Sequence, residues 1–595
     1  MYMLLAAAPP PGMNPDGDQN RNPDRDPGRD AGALRDGTEA APDGPAVVLQ
    51  PLDATGAAAG PARRVPLDRL ADAVRSIEDG ADANPPRWVW DLTQHWYPRL
   101  LAQGISVERC HDISLCRNIL VFSAFTQASA YAQKTSYVPV DPGPEPEPQD
   151  NGQDSLFEAP VVHTGPSPEE LARELREQLD TVRTSTQPRR LGLLLAAESA
   201  GALVASEMAH AGIPWREDLH RRILADHLGA QPQQDFARPE RMEAIAAELR
   251  ALLGAPTLNP DSPVELMRAL HRAGIEAKTT RSWELQEINH PAIGPLLAYK
   301  KLSRLFSANG WAWLENWIKD GRFRPEYVVG GVVTGRWSSR GGGALQIPKQ
   351  IRGAAHADPG FKLIVADAAQ LEPRVLIALS QDTKMAEAAH GKDLYAGIAA
   401  QGFGGERDKA KIALLGAMYG ATTGESGRLM PQLTRTYPKA VGLVEAAARA
   451  GERGERVGTF LGRGTPPPSP EWLALQQTTS AEEQRKADSA ARSRGRFTRN
   501  FVVQGSAAEW ALCWLADLRR RLRALAAHAP AGAPLPQMVF FLHDEVMVHC
   551  PDQLVGTVSA MMHDSAAAAA RLIYGDIPIK FPINVAVADT YADAK

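Results

Sequence analysis

Two carboxylates, each set at the end of an apolar run, carry the clearest chemistry in this chain. Asp544 lies in QMVFFLHDEVMVHCP (Gln537 to Pro551), where His543-Asp544-Glu545 interrupts an apolar stretch that resumes as Val546-Met547-Val548. Asp367 ends the run Phe361 to Ala366 and is followed by Ala368-Ala369-Gln370-Leu371-Glu372-Pro373-Arg374. The β-branched and aromatic content predicts strands, with the 543–545 triplet at the tip of a tight turn. Carboxylates in so apolar a frame are costly unless a cation compensates them, and a solvated hairpin turn is the plainer reading of the triplet alone. Brought together, Asp367 and Asp544 would hold a pair of divalent ions of the kind used for in-line phosphoryl transfer.

Between them Arg407, Lys411, Leu415 and Tyr419 recur every four residues, ahead of Gly420. Steps of four rotate about 40° on a helix, so these side chains share one slowly drifting face. Cations suit a triphosphate and the ring suits a stacked base. Arg496, Asn500 and Gln504 repeat the spacing, with amides able to reach the minor-groove edge of a base pair. Upstream, Val333-Thr334-Gly335-Arg336-Trp337-Ser338-Ser339 and Gly341-Gly342-Gly343 allow close backbone approach, and Arg336 with the serines can contact phosphates. One ladder by itself reads as a solvated helix face; two ladders and two acid-tipped strands in this order do not.

The elements that must position these residues fill a chain of 595 residues, too long for one core. Charge is balanced (65 − 70 = −5), so any nucleic-acid site is a local patch. Cys110, Cys116, Cys513 and Cys550 show no metal-binding spacing and fit a reducing compartment. No apolar run is read as membrane-spanning, and MYMLLAAA, which runs straight into Pro9-Pro10-Pro11, is not read as a signal peptide. The expectation is a soluble cytoplasmic protein. Residues 1–45, rich in Pro and acids, read as a disordered tail, with structure beginning near Ala46-Val47-Val48-Leu49. Strands are expected at Arg87 to Trp90 and Ile105 to Arg109, around a helix at 96–103 stopped by Gly104. A Pro- and acid-rich insert is expected over about 135–168. Helices follow at 191–212, 240–253, 264–274 and 296–306, the last with a basic face (Lys300, Lys301, Arg304).

In these motifs the chain resembles family-A (DNA polymerase I-type) DNA polymerases, from about Leu191 to the C-terminus. DAAQLEPR at Asp367 to Arg374 is similar to the family's motif A, RDKAKIALLGAMYG at Arg407 to Gly420 to motif B, and His543-Asp544-Glu545 to motif C. TGRWSS, the LQIP segment, RFTRNFVVQG, Asn259-x2-Ser262-Pro263 and His290-Pro291 match flanking family motifs. The resemblance implies a right-hand α/β architecture with an α+β palm (330–395 and 505–595), fingers (396–504) and thumb (191–329). An RNase H-like 3′–5′ exonuclease-type α/β domain (46–190) would precede it, with no 5′-nuclease domain. It implies that Asp367 and Asp544 bind two Mg²⁺, with Mn²⁺ as the alternative ion, and that Glu545 supports them. Arg407 and Lys411 would bind the dNTP, Lys411 as proton donor, and Tyr419 would stack at the templating position. Glu372 would be the steric gate against a 2′-OH, with Gln370 and Leu415 also at the nucleotide. Arg336, Arg496, Asn500, Gln504 and His543 would contact primer-template DNA.

The implied protein is a monomer without a membrane, cytoplasmic and associated with the bacterial nucleoid. Leu415 stands where the family has an aromatic, and Lys392-Asp393-Leu394-Tyr395 lacks the family's His. The Asp-x-Glu of a proofreading site is missing after Val47-Val48-Leu49, and His95-Trp96-Tyr97-Pro98 stands where a further acid would sit, so the leading domain reads as a degenerate exonuclease acting as scaffold. A single-subunit RNA polymerase, a catalytically dead DNA-binding scaffold and a nuclease are the rival readings; Glu372, the metal aspartates and the missing acids count against them in turn.

Overall fold

A computed structural model describes residues 1–8, 44–80, 84–138, 165–234, 237–340, 347–391, 393–421 and 424–594. The chain divides into two compact units. One comprises the described residues of Met1–Pro139 and Gly152–Leu203 together with Leu461–Gly464; the other comprises those of Val204–Phe460 and Thr465–Lys595.

The first unit is built on strands β1 (Tyr2–Ala7), β2 (Ala46–Leu52), β3 (Arg63–Pro66), β4 (Arg87–Trp90) and β5 (Arg109–Asp112). They form one sheet of order β3-β2-β1-β4-β5, with β1 antiparallel to β2 and parallel to β4, and β4 parallel to β5. The tail expected over residues 1–45 therefore opens with the central strand, where Leu4 and Leu5 are 0% exposed. A strand buried on both faces is a continuous apolar run without alternation. Here that run is six residues long and abuts a Pro-rich stretch, so composition averaged over the segment hides it. Residues 9–43, and most of the insert expected over about 135–168, lie outside the described residues. At the insert's end, Ser167-Pro168 starts helix α1 (Pro168–Thr184), in which Ser167 and Glu170 cap each other's backbone.

Strand β5 also lies beyond its expected place. Ile105 and Val107 are buried in the loop ahead of it, and the strand itself is Arg-Cys-His-Asp. Its polar side chains are buried with partners: His111 Nε2 lies 2.8 Å from Gln178 Oε1, and Asp112 Oδ2 accepts from the Thr93 hydroxyl at 2.7 Å. The expected boundary at 190–191 falls inside helix α2 (Pro188–Ala211), and the units part at Leu203. Contrary to expectation, α2 is long and apolar enough to cross a membrane, yet 72% of its apolar window is buried inside the protein. Within the first unit Glu198 of α2, 1% exposed, pairs with Arg463 at 2.6 Å.

In the second unit, the expected helices fall at Pro188–Ala211 (its last turns), Glu240–Leu252, Pro263–Arg272 and Ile293–Asn309. Ser262 caps the third through the Glu265 amide, and Tyr299 of the fourth donates its hydroxyl to Asp261 at 2.7 Å. A four-stranded antiparallel sheet follows, with β6 (Phe361–Ala368), β7 (Gln537–Leu542), β8 (Glu545–Pro551) and β9 (Ile583–Ala588) in the order β7-β8-β6-β9. Leu363 and Val365 of β6 join Phe540, Met547, Trp313 and Phe323 in one apolar core. Each such side chain contributes ~1.5–3 kcal/mol through burial, and the period of two that aims Leu363 and Val365 into this core puts Asp367 on the same face of β6.

Six helices complete the frame of the site: α3 (Leu371–Ser380), α4 (Leu394–Gly402), α5 (Arg407–Tyr419), α6 (Pro438–Glu452), α7 (Ala481–Ala527) and α8 (Val555–Tyr574). Helix α7 is 47 residues long and capped by Ser480 with Glu483, so the boundary expected at 504–505 lies within one continuous helix. Helix α8 packs along α7, where the Trp514 indole donates to the Met562 carbonyl at 3.3 Å.

Candidate active site

Strands β6 and β8 bring the two acid-bearing ends together. Asp367 pairs in register with Glu545 on one side and Asn584 on the other. The turn from β7 to β8 is closed by the Asp544 amide on the Leu542 carbonyl at 2.6 Å, with His543 at φ 57. The Asp544 carbonyl accepts from the Ala368 amide at 2.8 Å, which holds the turn beside the end of β6. Burial, then the negative charge of Asp367, pushes the Asp544 carboxyl up to about 6. Glu545 is 1% exposed and accepts the Tyr591 hydroxyl at 2.6 Å, while Arg352 lies 4.6 Å over the Tyr591 ring. A cavity of about 500 Å³ borders Asp367 and is lined also by Lys349, Arg352 and Asn584.

Glu372, on the first turn of α3, joins the acidic turn to α5. Arg336 forms an ion pair with one of its oxygens, and the Tyr419 hydroxyl donates to the other at 2.7 Å. Burial and the Glu372 carboxylate push the Tyr419 phenol up, so it remains a donor at any working pH. Arg336 also lies close enough to His543 and Asp544 for its charge to lower both. Burial acts first on His543 and also lowers it.

The stripe on α5 is as its period predicts. Ala410, Ala413, Leu414, Ala417 and Met418 are buried, while Lys411 and Tyr419 are exposed and Leu415 is half-buried. Arg407 is engaged: it pairs with Asp393 at 2.6 Å and lies 5.5 Å over the Tyr395 ring. Gln370 donates to Asp393 at 2.9 Å and accepts from the Leu394 amide at 2.8 Å, so its amide fastens the start of α3 to the start of α4. Asp393 and Tyr395 are thus site residues that the sequence reading reached only as a departure from pattern. Lys392 lies outside the described residues, as do Gly341-Gly342-Gly343 and Leu345-Gln346.

On α7, Arg496 is exposed and Asn500 and Gln504 are half-buried, whereas Thr498, Phe501 and Val503 face inward. The Asn500 Oδ1 is shielded and has no hydrogen-bond partner among the described residues. Gly505 lets α7 touch the Thr334-Gly335-Arg336 turn, because a Cβ there would sit 3.1 Å from the Thr334 carbonyl oxygen and 2.4 Å from Thr459. Any side chain would push that turn off the helix.

In the first unit β1, not β2, is the central strand, and it ends in Ala6-Ala7 with no acid. The acids nearby have structural partners. Asp112 caps the helix Ile113–Phe122 through the Leu115 amide, and burial pushes its carboxyl up to about 6. Asp91 accepts from the Trp96 indole at 2.7 Å and lies 2.7 Å from His95. Among the described residues of either unit, no three His, Cys, Asp or Glu side chains gather as a metal cage.

The model of DNA polymerase family A matches residues 231–593, more than half of the sequence. The chain belongs to that family. Among curated relatives, the thermostable DNA polymerase I of Thermus filiformis is 25% identical over 393 residues, 59% of this chain and 44% of its own length. DNA polymerase I of Chloroflexus aurantiacus is 25% identical over 332 residues, 51% of this chain and 32% of its own length. This family-A chain thus spans less than half the length of these relatives. Among solved structures, the POL domain of Pol1 from M. smegmatis, in complex with DNA primer-template and dNTP, superposes with a TM-score of 0.66 at 19% identity, covering 93% of each chain. That likeness shows the shared polymerase fold.

Proposed function

We propose that this chain is a template-directed DNA polymerase that adds deoxynucleotides to a primer 3′ end, in DNA replication or repair. The observation that carries it is the meeting of Asp367 and Asp544 at the ends of β6 and β8, joined through Arg336 and Glu372 to the open face of α5. The carboxylate pair fits two divalent cations. Its donors are hard oxygens suited to Mg²⁺ or Mn²⁺, and burial followed by the Asp367 charge makes a bare Asp544 carboxylate costly there without a cation. When bound, the ions would activate the primer hydroxyl and neutralise the departing pyrophosphate.

The side chains take the remaining tasks. Glu545, held by Tyr591, keeps its strand end in place beside Asp367. Lys411, exposed on α5, and Arg407, once exchanged from Asp393, bind the triphosphate, and Lys411 protonates the pyrophosphate. Glu372 occupies the space a 2′-OH would need, and Gln370 and Leu415 lie at the nucleotide. Tyr419 stacks at the templating position after its hydroxyl leaves Glu372. Arg336, Arg496, Asn500, Gln504 and His543 contact the primer-template, the two amides at base edges.

The first unit serves as a scaffold without proofreading, since the acids near the sheet are engaged in caps and indole contacts. The palm takes 330–395 with 505–595, the fingers 396–504 and the thumb 204–329, its start moved from 191 because the units part at Leu203, and the enzyme works as a cytoplasmic monomer off the membrane. Extension of a 5′-labelled primer-template with Mg²⁺ and dNTPs, compared with Asp544→Ala, tests this reading. Templated extension lost in the variant supports it. DNA binding without extension by the wild type returns it to a scaffold, and primer shortening that survives Asp544→Ala assigns nuclease chemistry to the first unit.

A further inference from the structure

Arg499 stands one residue before Asn500 on α7 but is 7% exposed. Its Nη1 donates to the Ala417 carbonyl at 2.9 Å, and its Nη2 donates to Glu445 Oε1 at 2.5 Å. Ala417 belongs to the last turn of α5, two residues before Tyr419, and Glu445 to α6. The amides of Gly420 and Ala421 both fold back onto the Gly416 carbonyl, at 2.9 and 3.0 Å. That closure leaves the Ala417 carbonyl among the orphans of the helix end, and Arg499 takes it. One guanidinium therefore ties α5, α6 and α7 at the point where α5 stops.

The other end of α5 is held differently. The Arg407–Asp393 pair has side chains 48% and 37% exposed, and the Lys409–Glu406 pair 43% and 59%. Exposed pairs exchange with water and weaken with salt; the Arg499 side chain is 9% exposed against 36% for Glu445, and its bond to the Ala417 carbonyl is buried and screened less. The cationic end of the stripe is held by exposed pairs, and its aromatic end by a buried guanidinium.

Given the polymerase reading above, we propose that Arg499 is the positioning residue for Tyr419. By fixing the last turn of α5 it presents the ring and hydroxyl to Glu372 and to the templating site, and makes that turn the pivot about which Arg407 and Lys411 swing. Arg499 acts through Tyr419 and touches no nucleotide itself.

The test pairs single-nucleotide extension with amide hydrogen exchange, in Arg499→Leu and Arg499→Lys, each alone and with Tyr419→Ala. Arg499→Leu should slow maximal extension about tenfold with primer-template affinity unchanged, and Arg499→Lys should recover part of the loss. In the Tyr419→Ala background the Leu substitution should cost less than about twofold, because its target is already gone. A full tenfold loss in that background, or no loss in Arg499→Leu alone, overturns the proposal. Exchange at Gly420 and Ala421 should quicken about tenfold in Arg499→Leu while the 505–515 stretch of α7 stays protected. Equal acceleration along α7 would mean general loosening and also overturns it. The exchange arm needs no DNA synthesis, so a wild type that never extends a primer counts against the polymerase reading alone.

Discussion

Replacing Asp544 by Asn should make the metal-free protein more stable at neutral pH while destroying the site. In the folded chain burial, and then Asp367, push this carboxyl from an ordinary 3.8 up to about 6. The unfolded chain therefore gives up the proton first. The resulting penalty on folding is absent below about pH 4 and complete above about pH 6. The interval, 6 − 3.8, at about 1.4 kcal/mol per pH unit, sets a ceiling of ~3 kcal/mol, and the side chain's partial access to water lowers this to ~1–2 kcal/mol. Asn keeps the shape of the side chain and removes the charge. Thermal unfolding in EDTA should show the variant melting above the wild type by about 1–4 °C at pH 7.5, with the offset closing as the pH falls toward about 4. Millimolar Mg²⁺ should raise the wild-type transition and leave the variant's where it was. A variant that melts below the wild type at pH 7.5, or an offset indifferent to pH, would refute the claim that a costly buried charge sits at this turn.

Other outcomes follow from the contacts of α3 and α5. Glu372→Ala removes the group that would meet a 2′-OH and should raise ribonucleotide incorporation by at least about tenfold relative to deoxynucleotide, measured by competitive single-nucleotide extension. Unchanged selectivity would move the gate elsewhere. Asp393→Asn keeps the cap on α4 but removes the charge that holds Arg407 in a half-exposed pair. The dNTP KM should fall about two- to fivefold with kcat unchanged, and a raised KM would show that Asp393 orients Arg407 for the substrate.

What was legible in the sequence was local. An apolar strand ending in Asp367, a turn at His543-Asp544, and residues every four positions along α5 follow from period and burial alone, and the structure has each where the pattern put it. The contacts that join them span long intervals: Arg336 to Glu372 is 36 residues and Tyr419 to Glu372 is 47, with no periodicity to announce them. Strand β1 escaped because a doubly buried strand does not alternate, and β5 because His111 and Asp112 look like loop residues until Gln178 and Thr93 arrive to bond them. Arg499 reads as one more cation in a basic helix. Only its burial against Ala417 and Glu445 separates it from its exposed neighbour Arg496.

The membership of Leu461–Gly464 in the first unit bears on how this protein can be cut. Leu461 is 1% exposed, Arg463 is 9% exposed, and the partner of Arg463, Glu198, is 1% exposed. A fragment ending at Leu203 would keep Glu198 in its apolar site with its cation deleted, and a fragment starting at Val204 would leave Leu461 and Arg463 facing water. The boundary along the gene is therefore not a boundary in the folded molecule. A cut between Leu203 and Val204 strands a buried group in each product.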